Sequence, residues 1–345
     1  MQRRYLFEKY LLTIALLFKR QTLKDSEYKI GIDIGGTNTS LGIVDNNGRC
    51  IKKKSFSTSA NKSIEEFIAK LVSSIREIST ISSREVRPAG IGIAAPAAQR
   101  REGLIQNPAN LLWGTVNIAD LLKQHFDIPI AVINDSNAVA LGEMKYGLAQ
   151  NMKNFVAITL GTGLGAGVVV NGELVNGENG FAGELGHIVV EPNGRMCGCK
   201  RRGCVETYVS ATGICRTAIE LIANELDVSK LRALTYNELT AKTLYDLAVA
   251  GDVLALKAFQ VTGEIFGKML ASTVVSFDPE AIILSGGLVR AGELLLKPTL
   301  KSFDENVLSS LGGKVAILPS RFSNGEGAIL GASSVVEITE TVSAD

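Results

Sequence analysis

Two stretches of this chain, about 126 residues apart, follow one grammar. In "YKIGIDIGGTNTSLGIVDNNG", alternating Ile30, Ile32 and Ile34 read as a strand, Gly35-Gly36-Thr37 as a turn, and Leu41, Ile43 and Val44 as a second strand that closes at Asn46-Asn47-Gly48. In "FVAITLGTGLGAGVVVNGELV", Phe155 to Leu160 is a strand, Gly161-Thr162-Gly163 the turn, Gly167 to Val170 the second strand, and Asn171-Gly172 closes the hairpin. Glycines in such turns bring backbone N–H groups up to an anion with no Cβ in the way, and Thr37 adds a hydroxyl, so both turns suit phosphate. Asp33, just before the first turn, could orient a Mg²⁺ ion or its waters. Either stretch alone is also an ordinary tight hairpin. Repeated, they constrain the chain to two related halves with a nucleotide held between them. Gly161, Gly163 and Ala166 also fit a dinucleotide fingerprint, but that motif opens a helix, and here strand and hairpin follow.

The 345 residues, 46% of them hydrophobic, are enough for a substantial core and for about two globular units. Thirty-six Lys+Arg against 35 Asp+Glu leave a net charge of +1, so no bulk basic field gathers nucleic acid or anionic lipid. The first 28 residues carry an apolar run, Leu11 to Phe18, bracketed by charged residues. The run is too short to span a bilayer and has no cleavage site after it. It reads as a dispensable amphipathic extension, or else as a surface-docking helix. The expected location is cytoplasmic, where cysteines stay reduced.

Between the repeats the pattern is α/β. Ser63 and Glu66 form a capping box ahead of an apolar stripe from Ile64 to Ile78. "AGIGIAAPAA" is a buried strand ending at Pro96, and Ile130 to Ile133 is another that stops at Asn134-Asp135. Ligands in α/β sheets sit at the carboxyl ends of strands, which places Asp135 for chemistry. As a helix N-cap it would also stay ionised, and both roles are compatible.

"HIVVEPNGRMCGCKRRGC", residues 187–204, gathers three of the five cysteines and one of the two histidines. Three thiolates and an imidazole make the closed four-ligand set of structural zinc: His187, Cys197, Cys199 and Cys204. A disulfide is the competing reading, disfavoured by a reducing compartment and by the closeness of a C-x-C pair. Cys50 and Cys215 read as buried small side chains. Glu184 in "GELGH" and Glu206 in "GCVE" flank the set, so an ion that fixes the loop fixes two carboxylates able to accept sugar hydroxyls.

With these motifs in view, residues 29–335 resemble the ROK family of sugar kinases and repressors. "GIDIGGTNT", "TLGTGLGAG", "NDSNA" and "GELGHIVVEPNGRMCGCKRRGCVE" are similar to the family's two phosphate hairpins, its catalytic aspartate segment and its zinc signature. The resemblance implies a two-lobed actin-like ATPase fold, a duplicated ribonuclease H-like α/β unit with the active site in the interlobe cleft. The expected division is an extension over 1–28, a smaller lobe over 29–134 with a terminal helix over 325–345 packing back on it, and a larger lobe over 135–324. Asp135 is implied as the catalytic base, and Asn110, Asn134, Asp135, Glu184, His187 and Glu206 as the sugar ligands. ATP is expected along Asp33, Gly35, Gly36, Thr37, Gly161, Thr162 and Gly163, with its adenosine at Gly286 and Gly287 of "ILSGG", and with Mg²⁺ and structural Zn²⁺.

Two departures stand out: Ala95-Pro96-Ala97-Ala98 replaces the family's "PGP"-like turn, and Lys200 replaces a glycine common after the second zinc cysteine. The expected activity is ATP-dependent phosphorylation of glucose at the 6-hydroxyl. Alternatives are a kinase for N-acetylmannosamine, N-acetylglucosamine, fructose or mannose, and a sugar-responsive repressor, disfavoured because 28 residues cannot hold a DNA-binding domain. Expected partners are sugar and ATP, with neither nucleic acid nor membrane, in a homodimer or homotetramer.

Overall fold

The two glycine hairpins seed two sheets of the same topology. In the computed structural model, which describes residues 28–59, 63–81, 84–99, 102–108, 111, 113–323 and 325–342, β1 (Tyr28–Ile34) and β2 (Asn38–Asp45) form the first hairpin and β3 (Cys50–Ser57) extends it. Beyond β1, β4 (Ile91–Ala95) and β5 (Ile130–Asn134) add in parallel, giving the order β5-β4-β1-β2-β3. The second sheet repeats this with β6 (Phe155–Leu160), β7 (Leu164–Val170), β8 (Glu173–Leu174), β9 (Ala281–Ser285) and β10 (Ala316–Pro319). Its order, β8-β7-β6-β9-β10, is the first order read backwards along the chain copy, again with the hairpin antiparallel and the last two strands parallel. The amphipathic extension proposed over residues 1–28 lies outside the described residues except for Tyr28, which begins β1.

Helices cover both sheets. Helix α1 (Ile64–Ile78) starts where Ser63 Oγ accepts the Glu66 N–H at 3.2 Å and buries Phe67, Leu71, Ile75 and Ile78 against the first sheet. After α2 (Ile118–Lys123) and β5 comes α3 (Asp135–Tyr146). The second half holds α4 (Ala211–Asn224), α5 (Ala241–Val249), α6 (Val253–Phe277), α7 (Glu293–Asn306) and the terminal α8 (Glu326–Val342). Each half has its own apolar core.

What joins the halves is an exchange of helices. Helix α3 leaves the first sheet, yet Ala140 packs with Phe155, Ala157 and Val169 of the second. Helix α8 leaves the second sheet, yet Ala332, Val335 and Val336 pack with Ala94, Ala131 and Ile133 of the first. The two helices cross in backbone contact: a Cβ on Gly331 would fall 1.6 Å from the Ala138 carbonyl oxygen.

Candidate active site

The parallel register of the first sheet sets the chemistry. Asp33 of β1 and Ile133 of β5 both pair with Ala94 of β4, so Asp33 and the Asn134-Asp135 corner arrive at one carboxyl edge. The helix cap is Asn134, not Asp135: Asn134 Oδ1 accepts the N–H groups of Ser136 at 2.9 Å and Asn137 at 3.2 Å. This corrects the sequence reading of Asp135 as the cap and leaves Asp135 as the first helical residue. Its Oδ1 accepts from Ser136 N at 2.8 Å and Ser136 Oγ at 3.3 Å, and Ser136 Oγ meets Thr159 Oγ1 of the second hairpin at 3.3 Å. Thr159 stands in the second copy where Asp33 stands in the first. Burial pushes the Asp33 carboxyl up to about 7, the charge of Asp135 adds to the rise, and Lys53 opposes it. Burial raises Asp135 as well, against the hydrogen bonds from Ser136.

The two glycine turns close as expected, with Gly35 N–H donating to Asn38 O and Gly161 N–H to Gly163 O, each at 3.0 Å. Thr37 and Thr162 are exposed, and Gly36 is half-buried in the first turn. Strand β7 begins at Leu164 rather than at Gly167. Around Gly161 and Gly287 a Cβ would meet nothing within 4 Å, whereas at Gly286, φ +99°, it would collide with the Leu160 backbone. Space for a ligand therefore lies over Gly161 and Gly287, while Gly286 lets the end of β9 pass the end of β6.

The zinc sequence folds into a cluster. The ligand atoms of His187, Cys197, Cys199 and Cys204 all lie within 4.8 Å of one another. Cys197 Sγ to His187 Nδ1 is 3.6 Å and Cys199 Sγ to Cys204 Sγ is 3.5 Å. Bonds of about 2.3 Å to sulfur and about 2.0 Å to nitrogen give tetrahedral edges of about 3.8 and 3.5 Å, so the donor set fits Zn²⁺. The five cysteines are free thiols, and Cys50 and Cys215 are half-buried rather than fully buried.

Nδ1 of His187 faces the cluster, and its Nε2 lies 3.9 Å from Glu184 Oε2. Glu206 Oε1 lies 3.6 Å from His187 Nδ1 and accepts from Cys197 Sγ at 2.9 Å. Burial raises the Glu184 carboxyl, His187 opposes, and the charges of Asp135 and Glu206 add to the rise, so the three carboxylates share one field. Asn110 lies outside the described residues.

Arg195 carries no sequence signal and is central to the loop. Its guanidinium is buried, donates to Glu220 Oε1 at 2.7 Å and Oε2 at 2.5 Å, to Thr207 O at 2.6 Å and to Gly213 O at 3.1 Å, and stacks over the Tyr208 ring. It thus ties the loop of residues 187–204 to α4. Only the tertiary pairing with Glu220, 25 residues away, reveals it.

The model of the ROK family matches residues 29–338. A glucokinase from Thermotoga maritima is 36% identical over 313 residues, covering 89% of this chain and 96% of that protein. A xylose repressor from Bacillus spizizenii is 29% identical, covering 91% of this chain and 78% of that one. The crystal structure of a ROK family glucokinase from Streptomyces griseus in complex with glucose and AMPPNP superposes with a TM-score of 0.77 at 30% identity, over 90% of this chain and 99% of that one. The duplicated hairpins, the aspartate corner and the thiolate loop therefore have a common explanation: this chain belongs to the ROK family.

Proposed function

We propose that the chain is an ATP-dependent sugar kinase that phosphorylates the 6-hydroxyl of a hexose, with glucose as substrate. The observation that carries this reading is Asp135: a half-buried carboxylate at the first sheet's carboxyl edge, fixed through Ser136, whose charge bears on Glu184. Glucokinases among its relatives support the same conclusion.

In this reading Glu184, His187 Nε2, Glu206 and the Asn134 amide hold the sugar hydroxyls, with Asn110 as a further ligand. Asp135 orients the attacking hydroxyl and accepts its proton as the phosphoryl group transfers. Ser136 fixes the carboxylate through Oδ1, and in this reading Oδ2 takes the proton. Burial that raises its affinity for a proton suits it to that task. The turn at Gly35-Gly36-Thr37 and the turn at Gly161-Thr162-Gly163 hold the phosphates through backbone N–H groups, and Gly287 flanks the adenosine. Asp33, whose proton affinity is raised beside Asp135, suits a divalent cation; Mg²⁺ bound there supplies charge neutralisation for the phosphates. His187, Cys197, Cys199 and Cys204 would hold zinc as a complete four-ligand set, which would fix the loop rather than activate water.

An assay of sugar-dependent ADP release over glucose, mannose, fructose, N-acetylmannosamine and N-acetylglucosamine tests the proposal, with glucose expected to give the highest kcat/KM. Asp135→Asn should lower kcat by about 10²- to 10⁴-fold while glucose still binds in calorimetry. Binding of a sugar with no turnover on any of them would favour the repressor branch instead.

A further inference from the structure

Glu206 is confined from two sides. Its Oε1 faces the zinc cluster, at the distances given above. Its Oε2 faces the second glycine turn: a Cβ on Gly163 would fall 2.7 Å from Oε2 and 3.9 Å from Cδ, and would meet no other described atom within 4 Å. Gly163 lies outside the left-handed region that favours glycine. The obstacle to a side chain at this position is therefore the Glu206 carboxylate. Gly161, two residues earlier, has open space in the same place.

Backbone ties prevent Glu206 from retreating as a whole. Ser210 Oγ donates to Glu206 O at 2.7 Å, Ala211 N–H donates to Gly161 O at 2.8 Å, and Thr212 Oγ1 donates to Thr162 O at 2.8 Å. The start of α4 thus locks the backbones of Glu206 and the turn into one unit, and a group added at Gly163 must displace the Glu206 side chain.

We infer that Gly163 is a positioning residue of the sugar site: its missing side chain reserves the space in which the Glu206 carboxylate stands, while Gly161 keeps clear the space for phosphate. The inference rests on the reading of Glu206 as a sugar ligand. It divides a single glycine motif between two substrates, and it places the phosphate turn in direct contact with the group that grips the sugar.

Gly163→Ala and Gly161→Ala in the full chain separate the roles. Gly163→Ala should raise the glucose KM by about ten- to a hundredfold, the loss expected for a misplaced charge-assisted hydrogen bond, with the ATP KM shifted less than about threefold. Zinc content and unfolding midpoint should stay at the wild-type values. Gly161→Ala should show the reverse pattern. In a Glu206→Ala background, Gly163→Ala should cost no further glucose affinity, because its effect runs through Glu206. A Gly163→Ala variant that raises the ATP KM alone, or that costs glucose affinity equally with and without Glu206, overturns the inference. Absence of glucose turnover in the wild type would count against the kinase reading instead. The crystal structure of Gly163→Ala then decides the inference: a displaced Glu206 carboxylate supports it and an unmoved one overturns it.

Discussion

Asp33 holds its proton far above the range of an ordinary aspartate, with a value of about 7 against 3.8, because burial and Asp135 both disfavour its charge. Between those two values the folded chain binds a proton that the unfolded chain has released, so stability falls as pH rises from about 4 to about 7 and levels off above. Asp33→Asn should remove most of that slope and make the ligand-free protein about 2–3 kcal/mol more stable at pH 8, allowing for partial solvent screening, while abolishing turnover. Urea unfolding at pH 5 and pH 8 checks this; equal slopes in the two proteins would return Asp33 to the ordinary solvated carboxylates. Lys200 offers a second residue-scale test. The backbone takes the left-handed conformation at Lys200 and Ala97, with φ +68° and +53°, where the sequence resemblance leads one to expect glycine. A side chain there costs about 1–2 kcal/mol, of which a glycine returns part to its own greater chain entropy. Lys200→Gly should therefore raise stability by up to about 1 kcal/mol in urea unfolding without changing the zinc content.

The loop of residues 187–204 is an element with two anchors, the His187-Cys197-Cys199-Cys204 cluster and the Arg195 guanidinium on Glu220, Thr207 and Gly213. Cys199→Ser should remove about one bound zinc per chain, because serine is a poor fourth ligand in a thiolate set. With Arg195 still holding the loop to α4, glucose affinity should fall in calorimetry well before the unfolding midpoint collapses; full sugar affinity without zinc would reduce the cluster to a local staple. The gathering of His187, Cys197, Cys199 and Cys204 is legible in the sequence because these residues are local, and so are the hairpins, which alternation and glycine turns declare within a few residues. Other features depend on partners from elsewhere in the chain. Strand β7 starts earlier than the apolar pattern indicates because Gly165 and Gly167 hide a strand: their missing side chains make room for Ser136 and Ala140 of α3, at 1.9 and 2.7 Å from the would-be Cβ atoms. Asn134 and Asp135 are both acceptable caps, and only the register of β5 against β4 decides which one ends the strand. Arg195 sits in a loop with no periodicity, and its importance lies in a helix that the sequence does not place beside it.

At the scale of the molecule, the exchange of α3 and α8 brings the Asp135 corner of the first half against the hairpin of the second. Helix α3 starts with Asp135 on the first sheet's edge and runs beneath the second hairpin, where Ser136 meets Thr159. Helix α8 starts just after Gly325, whose Cβ would lie 3.6 Å from Asp33 Oδ2, and runs across the first sheet. The crossing of the two helices therefore sets the separation of the groups at their N-termini. Gly331 permits that crossing, since a Cβ there would fall 1.6 Å from the Ala138 carbonyl oxygen, one turn along α3 from Asp135. Neither atom belongs to a flexible side chain, so Gly331→Ala must push the helices apart or bend one of them. Overpacking of this kind costs about 1–3 kcal/mol or more, and a shift of about 1 Å in Asp135 can cost about a hundredfold in rate. Gly331→Ala should accordingly lower the unfolding midpoint and reduce kcat more than it raises the glucose KM, because Glu184, His187 and Glu206 belong to neither crossing helix. Steady-state kinetics beside thermal unfolding measures both; a variant with wild-type kcat would show that the helix crossing supports the fold without setting the position of Asp135.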